Sequence, residues 1–265
     1  MLQGKRALVT GSSSGIGEAI AKALAREHVA VVIHGRNYNR IRRVAKTIRE
    51  ESGCTVSLAQ GDLSTENGVI RVAKVALDAF GGIDIVVNNA AEFFFDSWTR
   101  PEPVKWLDIY NNNVVSMVRI IRHLLPQMRE RGWGRFIQIS SGAFAVPNAR
   151  TAAYAATKSA IVNLTVSLAK GLEGTGLTAN TISPGYILTP FYDAWIRKVA
   201  KKRDWAGERS EMESRFVAEF MPNPARRLGR VEEVADLCVF ISSPRADYIN
   251  GSNFRVDGGW MASAN

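Results

Sequence analysis

The sequence predicts an α/β fold: a doubly wound parallel sheet packed between two helical layers (α/β/α), with the 265 residues forming a single domain. Three observations lead there. Short β-branched runs alternate with helical patterns from end to end. The runs are near-continuously apolar, as strands covered on both faces must be, and the patterns between them are long enough for crossover helices. No internal repeat, low-complexity tract or Gly/Ser linker divides the chain, whose length still suits one large core.

The first strand, "ALVTG", ends in "TGSSSGIG" at residues 10–17, and the helix "EAIAKALARE" follows at once. Glycines at such a junction let the backbone approach a pyrophosphate, whose charge the free N–H groups and dipole of the helix N-terminus favour. A tight turn without a ligand is the alternative; its place at the start of an alternating chain favours the nucleotide. The second strand, "AVVIHG", leads to the helix "RIRRVAKTIREE", and the third, "TVSLAQGD", to "NGVIRVAKVALDAF". "IDIVVNN" is the fourth strand and precedes the helix "VVSMVRIIRHLLPQM". "GRFIQISS" is the fifth, before the alanine-rich helix "TAAYAATKSA", and "LTANTISPG" is the sixth. Ligands of such sheets bind beyond the carboxyl ends of the strands. From Phe191 to Asn223 the alternation breaks. This Trp- and charge-rich stretch reads as one or two helices, an insertion at about 190–223 placed to act as a substrate lid.

Composition narrows the function classes. Hydrophobic residues make up 46% and charged residues 22%, and no stretch reaches the roughly 18 unbroken apolar residues of a membrane span. The opening "MLQGKRALVTG" lacks the long apolar region and cleavage site of a signal peptide, so a cytoplasmic location without a membrane partner is expected. Cys54 and Cys238, with the separate histidines His28, His34 and His123, lack metal-ligand spacing, so neither a disulfide nor a metal is expected. The net charge of +9 is scattered, apart from "RNYNRIRR" and "IRKVAKKR", which favours anionic small molecules over nucleic acid.

The glycine spacing G-x-x-x-G-x-G, from Gly11 through Gly15 to Gly17, resembles the fingerprint of the short-chain dehydrogenase/reductase family. "NNAA" at 88–91, a serine in "ISSG", Y-x-x-x-K at 154–158 and "SPGYILTP" at 183–190 follow in that family's order and at its spacing, across residues 5–260. The resemblance, strongest toward 3-oxoacyl-[acyl-carrier-protein] reductases, implies a Rossmann fold, a nicotinamide cofactor and a small carbonyl or alcohol substrate. It also implies which residues hold the cofactor. Gly11, Ser13, Ser14, Gly15, Ile16 and Gly17 form the turn, and Asp62 and Leu63 in "GDLS" meet the adenine. Asn89 and Ala90 support the adenosine side, with Ala91 in place of the usual glycine. Pro184 and Gly185 form a second turn, and the Ile187 backbone and Thr189 hydroxyl grip the nicotinamide carboxamide. The family's acidic position after the second strand falls on Gly35, which has no carboxylate to repel a phosphate; Arg36 follows with a guanidinium that can fork a 2′-phosphate. NADP(H) is therefore favoured over NAD(H).

Reduction of a carbonyl needs a proton donor and hydrogen bonds to the developing oxygen charge. A free tyrosine, with a pKa of about 10, holds its proton too tightly for this near neutrality. Lys158, four residues after Tyr154 and so on the same helical face, is expected to lower that pKa and, by resemblance, to bind the nicotinamide ribose. Ser141, 13 residues before Tyr154, would by resemblance hydrogen-bond the substrate oxygen, and only spacing separates it from Ser140. Asn113, 13 residues before Pro126, matches the family's asparagine, which shapes a helix and holds a water between the lysine and solvent; Asn111 and Asn112 would then be local.

Phe93, Phe94 and Phe95, with Trp195, Trp205 and Phe216 of the insertion, are candidates for an apolar substrate pocket, although apolar residues at helical spacing usually pack inward. "RKVAKKR" is a candidate surface for a phosphopantetheine-linked carrier or coenzyme A. The expected activity is hydride transfer between NADP(H) and a ketone or secondary alcohol, with a 3-oxoacyl thioester among the candidates. The alternatives are an NAD-dependent alcohol, sugar or steroid-type dehydrogenase of the same family, and a non-catalytic nucleotide-binding regulator. The ending from Gly229 to Trp260 resembles the family's last helix and strand, which implies a homotetramer or a homodimer.

Overall fold

The structure is a computed structural model that describes residues 1–96, 98–99 and 102–262. β1 (Arg6–Val9), α1 (Gly15–Arg26), β2 (Ala30–Gly35), α2 (Tyr38–Ser52), β3 (Val56–Gln60) and α3 (Glu66–Phe80) form the first half. β4 (Ile85–Asn88), α4 (Pro103–Tyr110), a π-helical turn (Asn111–Val115), α5 (Ser116–Arg131), β5 (Gly134–Ile139), α6 (Ala152–Gly171) and β6 (Leu177–Pro184) follow. α7 (Pro190–Lys202), α8 (Arg209–Phe220), α9 (Val231–Ser242) and β7 (Asn253–Val256) complete the chain. The strands make one parallel sheet in the order β3-β2-β1-β4-β5-β6-β7, so the order reverses between β1 and β4. A crevice opens at that reversal, beyond the carboxyl ends of both strands.

The apolar strand runs explain the three layers. In β1, Ala7 and Val9 face one helical layer and Leu8 the other; Val31 and Ile33 of β2 alternate with Val32, and Ile85 and Val87 of β4 with Val86, in the same way. The first set packs on Ile20 and Leu24 of α1, Val44 and Ile48 of α2 and Val234 of α9. The second packs on Val69 and Val72 of α3 and on Ile120 and Leu124 of α5. Side chains that alternate across a strand yet are all buried are the period-two signature of a sheet covered on both faces.

One helix departs from the sequence reading. α4 was not anticipated, because Val104 and Leu107 are exposed and only Ile109 is buried, so "PVKWLDIY" presents no inward stripe to read. The 191–223 stretch forms two helices, α7 and α8, around a core of their own: Ile196, Phe216, Val217 and Met221 are buried together with Leu228. Among the described residues no helix is long and apolar enough to cross a membrane.

Candidate active site

The glycine turn is locked from β4. Gly11 has φ +65°, and a Cβ there would lie 2.8 Å from Ala90 Cα; a Cβ on Gly17 would overlap Asn89 Nδ2. Asn89 donates from Nδ2 to Thr10 O at 2.9 Å and Gly11 O at 3.2 Å, and its own N–H donates to Thr10 Oγ1 at 3.0 Å. Asn89 and Ala90 thus shape the turn itself. Gly15 opens α1 at φ +59°, and a Cβ on it would lie 3.5 Å from the Thr189 methyl, so the segment after β6 reaches the same turn. Ser14 is the N-cap of α1 and makes no side-chain cap bond, leaving first-turn N–H groups to face the crevice. Ile16 packs its side chain into the core below.

A cavity of about 330 Å³ beside this turn is lined by Gly11, Ser13, Ser14, Arg36, Asp62, Leu63, Asn89 and Ala90, all expected cofactor positions. The carbonyl of Arg36 accepts from Gln60 Nε2 at 2.9 Å, which fixes its backbone while the guanidinium stays on the cavity wall. The Asp62 carboxyl is held below the usual range, first by the Ser64 N–H that it accepts at 3.0 Å and further by the charge of Arg36. At the other end, Gly185 donates to Val256 O at 2.9 Å and its α-carbon lies against Asp257, where a Cβ would clash; Pro184 ends β6. Ile187 is buried and bridges to Gly229.

His34 was not picked out from the sequence. Its Nδ1 accepts the Gly11 N–H at 3.0 Å, and its Nε2 lies 3.2 Å from Gly61 O. Since Gly11 N–H can only donate and Gly61 O only accept, the ring is the neutral tautomer with the proton on Nε2. Burial pushes its pKa down to about 4, against the raising effect of the Gly61 carbonyl. The available signal was a polar residue inside an apolar strand, next to the turn.

Ser140, Ser141, Tyr154 and Lys158 come together at the end of β5. Ser140 Oγ donates to Lys158 O at 2.9 Å and is fully engaged in holding α6, whereas Ser141 faces the Tyr154 phenol and accepts the Ala143 N–H at 3.3 Å. The geometry therefore separates two serines that spacing alone distinguished. Lys158 is 2% exposed; its Nζ donates to Ile139 O at 3.0 Å and lies 5.3 Å from the centre of the Tyr154 ring. Burial pushes the Tyr154 phenol up to about 12, partly opposed by the Ser141 hydroxyl, and pushes Lys158 down to about 7. Burial governs both groups, because desolvation disfavours the charged form of each.

Asn113 reaches α6, donating to Thr157 Oγ1 at 3.1 Å, and its amide pairs with both backbone groups of Glu92. Its neighbours are not local. Asn111 donates to Ser64 O at 3.0 Å and accepts from Arg119 at 2.8 Å, and Asn112 meets the Glu92 carboxylate.

An aromatic wall stands over Tyr154. The Phe93 ring meets it edge-on at 5.1 Å and Phe191 at 6.0 Å, while Phe95 meets Trp195 at 6.1 Å. Trp205 and Phe216 instead pack into the α7–α8 core, the inward alternative, and Trp195 touches both groups. A second cavity, of about 890 Å³, adjoins the first and is lined by Phe94, Phe95, Asp96, Lys105 and Arg150.

The chain matches the short chain dehydrogenase family over residues 5–199. It is 34% identical to the D-beta-hydroxybutyrate dehydrogenase of Rhizobium meliloti, over 97% of this chain and 99% of that one. It is 33% identical to a 3-oxoacyl-[acyl-carrier-protein] reductase of Vibrio cholerae, over 97% of this chain and 98% of that one. Among solved structures, L-sorbose reductase from Gluconobacter frateurii, in complex with NADPH and L-sorbose, is similar with a TM-score of 0.92 at 34% identity, covering 98% of each chain.

Proposed function

The chain belongs to the short-chain dehydrogenase family and is an oxidoreductase of alcohol and keto groups; from that premise we propose that it moves hydride between NADP(H) and a ketone or secondary alcohol. The observation that carries the proposal is the meeting of Ser141, Tyr154 and Lys158 at the carboxyl end of β5, on the same edge of the parallel sheet as the glycine turn at the end of β1. The residues present fit a nicotinamide dinucleotide. The uncapped first turn of α1 suits a pyrophosphate, Arg36 without a neighbouring β2 carboxylate suits a 2′-phosphate, and Thr189 at the turn suits the carboxamide. The likeness to a reductase solved with NADPH supports this choice.

When bound, the nicotinamide supplies or accepts the hydride. In the reductive direction, Ser141 donates a hydrogen bond to the substrate oxygen and Tyr154 gives it the phenolic proton. Lys158, whose Nζ lies 5.3 Å from the centre of the Tyr154 ring, stabilises by its charge the phenolate left behind. Asn113, through Thr157, holds the turn of α6 between Tyr154 and Lys158. The α7–α8 segment is read as a lid that brings Phe191 and Trp195 over the substrate.

The identities to a hydroxybutyrate dehydrogenase and to a 3-oxoacyl reductase are 34% and 33%, so sequence likeness does not choose between them. A 3-oxoacyl thioester is supported by the apolar wall and by the exposed Lys198, Lys201 and Lys202 of α7, which suit an acidic carrier. Exposed Phe240 and Tyr248 support self-association as a homotetramer or homodimer. The test is NADPH absorbance against a panel of β-ketoacyl thioesters, keto-sugars and simple ketones, with NADH in parallel. Turnover should fall by about 100-fold or more in Tyr154→Phe while NADPH still binds, because proton transfer by a positioned group is worth that much. No turnover with any ketone, or full activity in Tyr154→Phe, would overturn the proposal.

A further inference from the structure

After β4, residues 92–96 carry Phe93, Phe94 and Phe95 between two fastenings, at Glu92 and at Asp96. At Glu92, Asn113 Oδ1 accepts the backbone N–H at 2.7 Å and Asn113 Nδ2 donates to the backbone carbonyl at 3.0 Å. At Asp96, one carboxylate oxygen accepts the Ala152 N–H and the other the Ala153 N–H, both at 3.1 Å, while the Asp96 N–H donates to Arg150 O at 2.8 Å. Ala152 and Ala153 are the first two residues of α6, and Tyr154 is the third.

A helix leaves its first N–H groups without intrahelical partners, and α6 brings no cap of its own. Thr151, at the N-cap position, makes no side-chain cap bond, and the first turn contains no acid. Asp96 supplies both missing features from a loop 56 residues earlier: acceptors for two orphan donors and a negative charge at the positive end of the helix dipole. Between the two fasteners, Phe93 lies edge-on to the Tyr154 ring, and Phe95 lies under the Arg150 guanidinium, 5.2 Å from its ring centre.

We propose that Asp96 is a positioning residue of the active site, capping in trans the helix that presents Tyr154 and Lys158 and thereby holding that helix and the phenylalanine wall as one unit. This rests on the reading of Tyr154 as proton donor. It follows that a substrate pressing on Phe93 or Phe95 acts through Asp96 on the angle at which the phenol is offered. Among the described residues Asp96 makes no hydrogen bond to the glycine turn or to Arg36, so loss of the cap should leave both in place.

The experiment compares Asp96→Ala, which removes both acceptors, with Asp96→Asn, which retains one, and reads kcat, the KM for NADPH and amide hydrogen exchange across residues 148–158. In Asp96→Ala, kcat should fall about tenfold or more with the NADPH KM changed by less than about twofold, and Asp96→Asn should recover most of kcat. Exchange at Ala152 and Ala153 should speed up in the alanine variant and partly recover in the asparagine variant. Wild-type exchange and kcat in Asp96→Ala would overturn the proposal, as would a parallel loss of NADPH affinity in both variants. If Asp96→Ala does not fold, Asp96→Asn decides alone: one uncapped amide exchanging faster supports the cap, and wild-type exchange at both refutes it. If the wild-type protein reduces no ketone, the reading of Tyr154 fails, and the exchange comparison still settles the cap.

Discussion

His34 joins two halves of the nucleotide crevice through a single neutral ring, with the Gly11 N–H on Nδ1 and Gly61 O facing Nε2. Protonating Nδ1 would remove the acceptor that orients the glycine turn and place a charge in a site that is 3% exposed. Its folded pKa, about 4, lies below the ordinary 6.5, so the folded state binds fewer protons than the unfolded one between those values. The stability that it contributes is complete above pH 6.5 and is lost as the pH falls toward 4, at most about 3 kcal/mol over that window. His34→Gln carries no group that titrates there, so its urea-unfolding free energy should vary less with pH than the wild type's across the same range. Parallel curves for the two proteins would refute the linkage. At this scale the sequence was only partly legible. Tyr154 and Lys158 could be read from their helical spacing and Ser141 from the family resemblance, and the three do meet. His34 and Asp96 could not, because each owes its role to a backbone N–H donor on a distant segment, at Gly11 and at Ala152, and no spacing pattern encodes that.

The α7 and α8 helices behave as a unit because charged groups tie them together over a small apolar core. Asp193 of α7 accepts from Arg197 at 2.8 Å and from Arg209 of α8 at 2.9 Å, and Arg203 pairs with Glu219 at 2.7 Å. Glu213, buried in α8, accepts the Leu228 N–H at 3.2 Å and Arg230 at 2.8 Å, which anchors the segment to the chain entering α9. Glu213→Ala leaves the Leu228 N–H buried without that acceptor, a local cost of about 1–3 kcal/mol. Hydrogen exchange across residues 209–228 should speed up while the strands keep their protection. Unchanged exchange there would mean that the apolar core alone holds the segment. Six strands and most helices were readable from periodicity, and the last helix and strand from the family resemblance. α4 was not, because its apolar residues face outward, and the π-turn at Asn111–Val115 was not, because it arises where Asn111 and Asn113 are pulled toward Ser64 and Glu92.

At the scale of the whole molecule, sheet order brings distant segments together at the reversal between β1 and β4. Cofactor bound there would meet the ends of several strands, so it should stabilise the fold as a whole rather than one element. At about 100 times its Kd, NADPH should add about 2.7 kcal/mol, which for a chain of this size is a Tm rise of about 5–10 °C. The same concentration of NADH should raise Tm less, and Arg36→Ala should close the gap by lowering the NADPH effect alone. Equal shifts with both cofactors in the wild type would refute the phosphate role of Arg36.

Periodicity and turn chemistry are local, and they sufficed for what is local: the alternation of strands and helices, the glycine turn with its helix, and the helical turn that separates Tyr154 from Lys158. Family resemblance added the meeting of Ser141 with that pair. Only the tertiary structure decided which of two adjacent serines faces the phenol, and how burial sets the proton affinities of Tyr154 and Lys158. It alone placed His34 under Gly11 and Asp96 at the head of α6. Those contacts join residues 23 and 56 positions apart, and what brings them together is the packing of strand ends and loops around a shared sheet, which no stretch of sequence contains by itself.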